Sequence, residues 1–122
     1  YGYDISSDVV NYNKKRFIGE NYFFTSNIDE IIIRKYDATI SLDVLYHLIE
    51  DDVYLDHMKL LFDLSDKFVI IYSPNEDKNF NNHVKYRKFD ENIPVNFKLF
   101  KKIDNPLKDI NTQSDFYIYV KQ

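Results

Sequence analysis

Apolar positions fall into short bursts along the first third of the chain and into longer, better ordered runs after that. Residues 1–5, YGYDI, alternate weakly and read as a strand ending near Asp4. Ser6 or Ser7 can cap a helix, with Asp8 favouring its positive end. Val9, Val10 and Phe17 share one face of that helix, Lys14, Lys15 and Arg16 sit near its C-terminus, and Gly19 fits its stop. Residues 21–25, NYFFT, predict a second strand, and residues 26–29 a polar turn. Residues 29–34 suit either a helical turn or an extended connection.

The run 37–42 predicts a third strand. Beyond it Tyr54, Met58, Leu61 and Phe62 recur at helical spacing, flanked by Val53, His57, Leu60 and Leu64. The first turn of this helix is acidic, as the helix dipole prefers. Lys67–Ser73, KFVIIYS, is continuous and rich in branched residues, which predicts a strand buried on both faces and stopped by Pro74. Residues 75–94 are the most polar stretch and predict a loop, then a short helix from about His83 to Asn92. Phe97–Ile103 and 115–121 alternate, and no helical pattern separates them, so they predict an antiparallel hairpin. Strand and helix alternation closed by a hairpin places the chain in the α/β class, as one domain over 1–122.

Composition narrows the function. The chain has 122 residues, 44% hydrophobic and 17% aromatic, enough for a packed core. Its net charge of −4 and scattered lysines argue against nucleic acid as a partner. The absence of cysteine rules out disulfides and thiolate chemistry. The longest uncharged run in the most apolar segment, Phe68–Asn75, is far short of a membrane span. His47, His57 and His83 are too dispersed to suggest a metal site, and none is expected. No secretory leader is read, so the expected compartment is cytoplasmic. Only Gly2 and Gly19 are present, with no Gly-x-Gly turn to cradle a phosphate.

The stretch 36–64 carries the candidate chemistry. A strand that ends at a carboxylate, Asp43, and gives way to a helix marks the crevice where open α/β sheets bind ligands. Its wording resembles the fourth-strand motif of the Rossmann-like, class I S-adenosylmethionine-dependent methyltransferases. The aromatic-Asp pair is Tyr36-Asp37, and it is followed by Asp43, Val44-Leu45 and His47-Leu48. The segments ISLDVLYHLIEDDVY, FVIIYSPN, HVKYRKF and SDFYIYVK also resemble a bacterial subset of small methyltransferases. The resemblance implies a mostly parallel sheet whose last strand inserts antiparallel between the fifth and sixth. It also implies that the first strand, its Gly-rich turn and the following helix are missing here. Either residues upstream of Tyr1 or a partner chain would supply them.

S-adenosylmethionine is the cofactor implied by the resemblance, with contacts at Asp4, Ile5, Ser26, Asn27, Ser41 and Leu42. Gly2-Tyr3-Asp4-Ile5-Ser6 looks like Gly-x-Asp-x-Ser, whose acid accepts hydrogen bonds from both ribose hydroxyls. Thr25-Ser26-Asn27 stands where the family hydrogen-bonds the adenine amine, often with an acid; here the side chains are neutral. Asp43 and His47 are the candidate bases, one helical turn apart. Tyr46, His83 and Arg87 are candidate contacts to a small-molecule acceptor. Asp4 could instead cap the first helix, Asp43 could cap or pair with a lysine, and His83 with Arg87 could form a solvated face. A non-catalytic methyltransferase-like module is a second functional reading. A nicotinamide-dependent reductase is a third, against which the terminal hairpin argues.

Overall fold

A computed structural model describes residues 1–81, 83–108 and 113–122, with the backbone alone described at 79–81. The chain forms two compact units, Tyr1–Lys35 and Tyr36–Gln122.

In the first unit β1 (Gly2–Tyr3) runs parallel to β2 (Phe24–Thr25), joined through α1 (Ser7–Arg16). Ser6 caps α1, its hydroxyl accepting from the Val9 amide at 3.4 Å. Gly19, at φ 83°, adopts the left-handed conformation just beyond the helix, which glycine reaches without strain. Gly2 is required for a different reason. A Cβ there would lie 2.6 Å from Phe24 Cδ1, so the ring packs directly on the β1 backbone. The undecided stretch after residue 28 begins with a single helical turn, α2 (Asp29–Ile32), which buries Ile31.

The second unit is built on a four-stranded sheet: β3 (Tyr36–Leu42), β4 (Ser65–Ser73), β7 (Phe97–Ile103) and β8 (Asp115–Lys121). Its order is β3-β4-β8-β7, with β3 parallel to β4 and β8 antiparallel to both neighbours. The terminal hairpin is therefore present, and its second strand inserts between β4 and β7. One face packs against α3 (Asp51–Asp63), which buries Tyr54, Met58, Leu61 and Phe62, the stripe expected from spacing. Val69 and Ile71 from β4 and Tyr117 and Tyr119 from β8 meet that stripe, and Phe89 closes the cluster edge-on against Tyr117.

Two expectations need correction. Lys67–Ser73 was expected to be buried on both faces, but only alternate residues are: Val69 and Ile71 are fully buried while Phe68 is 41% exposed. The helix α3 covers one face, and the pleat turns Phe68, Ile70 and Tyr72 to the other. No helix forms over His83–Asn92. Instead β5 (Lys78–Asn81) and β6 (Val84–Tyr86) make a small antiparallel hairpin, and Phe89–Asn92 a 3-10 turn. The branched and aromatic residues Val84 and Tyr86 favour extended backbone, and Phe89 enters the core from the turn rather than from a helical face.

The loop after β7 is anchored by Asp115, only 2% exposed. Burial pushes its carboxyl up. The Asn105 amide at 3.0 Å, Lys108 Nζ at 2.9 Å and Lys102 Nζ at 3.1 Å outweigh that and hold it below the ordinary carboxylate value.

Candidate functional site

The carboxyl end of β3 stops at a specific backbone event. The Asp43 amide still donates to Tyr72 O at 2.9 Å, extending the β3–β4 ladder by one step. Asp43 itself then turns left-handed, at φ 56°, the one non-glycine with positive φ among the described residues. Aspartate tolerates that region better than most residues, and such conformations gather at functional sites. The chain continues into a 3-10 turn, Leu45–His47, whose Leu45 is buried while Asp43 and His47 stay exposed.

This geometry gathers Asp43, Tyr46 and His47 of the sequence-derived candidates. The Tyr46 phenol lies near enough to the Asp43 carboxyl for that carboxylate to act on its pKa. Burial, then the neighbouring Asp43 carboxylate, raise the phenol to about 12, so Tyr46 keeps its proton. His47 lies against the Tyr46 ring at 4.4 Å between centroids, and Tyr86 of the hairpin meets the same ring edge-on at 5.8 Å. Ser114 Oγ donates to Asp43 Oδ1 at 3.3 Å, and Tyr72 stands nearby with its hydroxyl accepting from Asn105 at 2.9 Å. Ser114, Tyr72 and Tyr86 were not among the sequence candidates. Only the pairing of β3 with β4, and of β4 with β8, brings Ser114 and Tyr72 to Asp43.

The remaining candidates of this unit are placed differently. Leu42 is half exposed, on the face away from α3. Ser41 is buried, its hydroxyl 3.1 Å from His57 Nε2 on α3. Burial lowers the pKa of His57, which keeps its ring neutral. A folded-state value below the usual 6.5 means that stability is complete above that value and drains away as pH falls through it. The thermal midpoint should therefore fall between about pH 7.5 and about 5.5, and His57→Gln should flatten that fall. An equal fall in His57→Gln would place the acid sensitivity elsewhere. His83 lies in the turn between β5 and β6, so the helical pairing with Arg87 is not formed. Arg87 follows β6 and directs its guanidinium to the segment before α3: Nη1 donates to Leu48 O at 2.6 Å and Nη2 to Ile49 O at 2.7 Å.

In the first unit, Asp4 and Ile5 follow β1, and Ser26 and Asn27 follow β2. Because the two strands are parallel neighbours, these residues meet at one edge; the Asp4 amide donates to Thr25 O at 3.3 Å. One Asp4 oxygen accepts the Ser6 amide at 2.8 Å, closing a local turn, while the cap of α1 is Ser6 rather than Asp4. Asn27 likewise accepts the Asp29 amide at 3.1 Å. Ile5 is 85% exposed beside them. A carboxylate, a hydroxyl, an amide and an open aliphatic side chain thus stand together at the carboxyl ends of two parallel strands.

Among the described residues no group of three or more His, Cys, Asp or Glu is placed to hold a metal ion, and no helix is long and apolar enough to cross a membrane. Neither a protein-family model nor a curated protein sequence matches the chain. In structure it is similar to magnesium protoporphyrin IX methyltransferase from Synechocystis PCC 6803. With S-adenosylmethionine bound, that protein aligns at a TM-score of 0.75 and 19% identity over 100% of this chain. With S-adenosylhomocysteine bound, it aligns at 0.70 and 19%, again over the whole chain. This chain spans 59% and 63% of those two chains. At such identity the likeness is one of fold: a Rossmann-like methyltransferase fold with a sheet of parallel and antiparallel strands.

Proposed function

We propose that the chain belongs to an S-adenosylmethionine-dependent methyltransferase acting on a small-molecule acceptor. The observation that carries this reading is the left-handed Asp43 at the carboxyl end of β3, bonded by Ser114 and with Tyr46 beside it, within that fold. Asp4, Ile5, Ser26 and Asn27 would hold the ribose and adenine. When bound, the cofactor supplies an activated methyl group on a positively charged sulfur. The chain's own residues orient the acceptor and manage its proton. Tyr46, protonated throughout the physiological range, offers a hydrogen-bond donor beside the Asp43 carboxyl, which Ser114 holds. Asp43, with His47 as the alternative base, takes the proton from the acceptor. Tyr72 and Tyr86 offer aromatic surface to it.

A non-catalytic binding module is the second reading, favoured by the local bonds that already occupy Asp4 and Asn27. Calorimetry separates the two. S-adenosylhomocysteine should bind at micromolar affinity, and Asp4→Ala should weaken it by about 1.5–3 kcal/mol, the scale of hydrogen bonds to a charged group. No binding at millimolar ligand would leave the module reading. Binding that Asp4→Ala does not change would remove Asp4 from the site.

A further inference from the structure

Tyr46 and Tyr86 meet although they belong to segments 40 positions apart in sequence. The segment between the 3-10 turn and α3 offers two consecutive carbonyls, Leu48 and Ile49, in irregular backbone. Arg87 satisfies both, at 2.6 and 2.7 Å. The same guanidinium donates through Nη2 and Nε to Asp51 Oδ1, at 2.8 and 3.1 Å, and lies 4.4 Å over the Tyr54 ring. Its side chain is only 12% exposed. Lys85 adds a second tie to Asp51 at 2.5 Å. Tyr86 immediately precedes Arg87, and Tyr46 stands two residues before Leu48. Fixing Arg87 to residues 48–51 therefore fixes both tyrosines.

We propose that Arg87 is a positioning residue: it fastens the β5–β6 hairpin to the segment before α3 and so sets Tyr46 against Asp43 and Tyr86. The inference rests on the reading above, in which Asp43 and Tyr46 handle the acceptor. A planar fork that bonds two carbonyls and a carboxylate while stacking on a ring is a task for arginine. A lysine ammonium is a point charge that can serve one or two of these partners but cannot stack in the same way. An arginine kept for an anionic substrate would present its fork to solvent, whereas here the fork is turned into the protein.

The test is nuclear magnetic resonance with labelled tyrosine and phenylalanine rings, following the Tyr46–Tyr86 contact and, as a control for the core, the Phe89–Tyr117 contact. In Arg87→Met the first contact should vanish and the second persist, with amide exchange at residues 48–51 faster by about tenfold or more. Arg87→Lys should lose the Tyr46–Tyr86 contact as well. Asp51→Asn, which leaves both carbonyl bonds in place, should retain it. Survival of the Tyr46–Tyr86 contact in Arg87→Met overturns the proposal. Loss of both contacts together in Arg87→Met and Arg87→Lys also overturns it, since Arg87 would then serve the whole fold. Calorimetry with S-adenosylhomocysteine on the same samples keeps the two readings apart: failure to bind sinks the methyltransferase reading and leaves the ring-contact result standing.

Discussion

Asp43→Asn is expected to lower methyl-transfer turnover by about 10²-fold or more, while affinity for S-adenosylhomocysteine stays within about twofold. The substitution is chosen for what it preserves. Asparagine tolerates the left-handed backbone at φ 56° as aspartate does, so the turn after β3 survives. It can still accept from Ser114 through its amide oxygen, so the local geometry survives too. What it loses is the capacity to take a proton. Turnover measured with labelled donor on Asp43→Asn and His47→Gln, side by side, assigns the role. A deficit confined to His47→Gln moves the base to the imidazole that lies on Tyr46. Full activity in both variants means that orientation alone runs the reaction.

Much of this arrangement was legible from the sequence, and the part that was not has a common physical cause. Where a periodic pattern of apolar residues or a turn residue acts within one segment, the structure follows it: the buried stripe of α3, the Ser6 cap, Gly19 and the antiparallel terminal hairpin. Asp43 was legible as a strand-ending acid because the stop of β3 is marked by its neighbours in the chain. The β5–β6 hairpin was not legible. Its first strand lies in an asparagine-rich stretch with no apolar period, and what ties the hairpin down is Arg87 bonded to carbonyls of residues 48 and 49. Contacts of that kind leave no mark on local spacing. The open face of β4 was missed for a related reason. A continuous apolar run announces burial, but whether one face or both are covered depends on elements far away in the chain.

That open face underlies the last expectation: residues 1–122 expressed alone should associate rather than remain monomeric. The two outer strands of the four-stranded sheet differ in kind. Along β7 the exposed positions include Lys98, Lys101 and Lys102, the charged side chains with which proteins blunt a sheet edge. Along β3 the only charge is Asp37, held by Lys67 at 2.7 Å near the start of the strand. Beyond it Ile40 is 59% and Leu42 50% exposed, on the same face as Phe68 at 41% and Phe116 at 37%. An uncharged edge beside an apolar face invites another strand and whatever packs over it. We propose that this edge is completed either by further sequence of the same polypeptide or by another chain. The resemblance to the methyltransferase sheet points the same way, since it leaves that family's first strand to be supplied. Sedimentation of residues 1–122 at micromolar concentration should show dimers or larger species, and Ile40→Lys, which puts a charge on the open face of β3, should shift them towards monomer. If the unsubstituted chain sediments as a single monomer and unfolds in one cooperative transition, the edge needs no partner and the missing-strand reading fails.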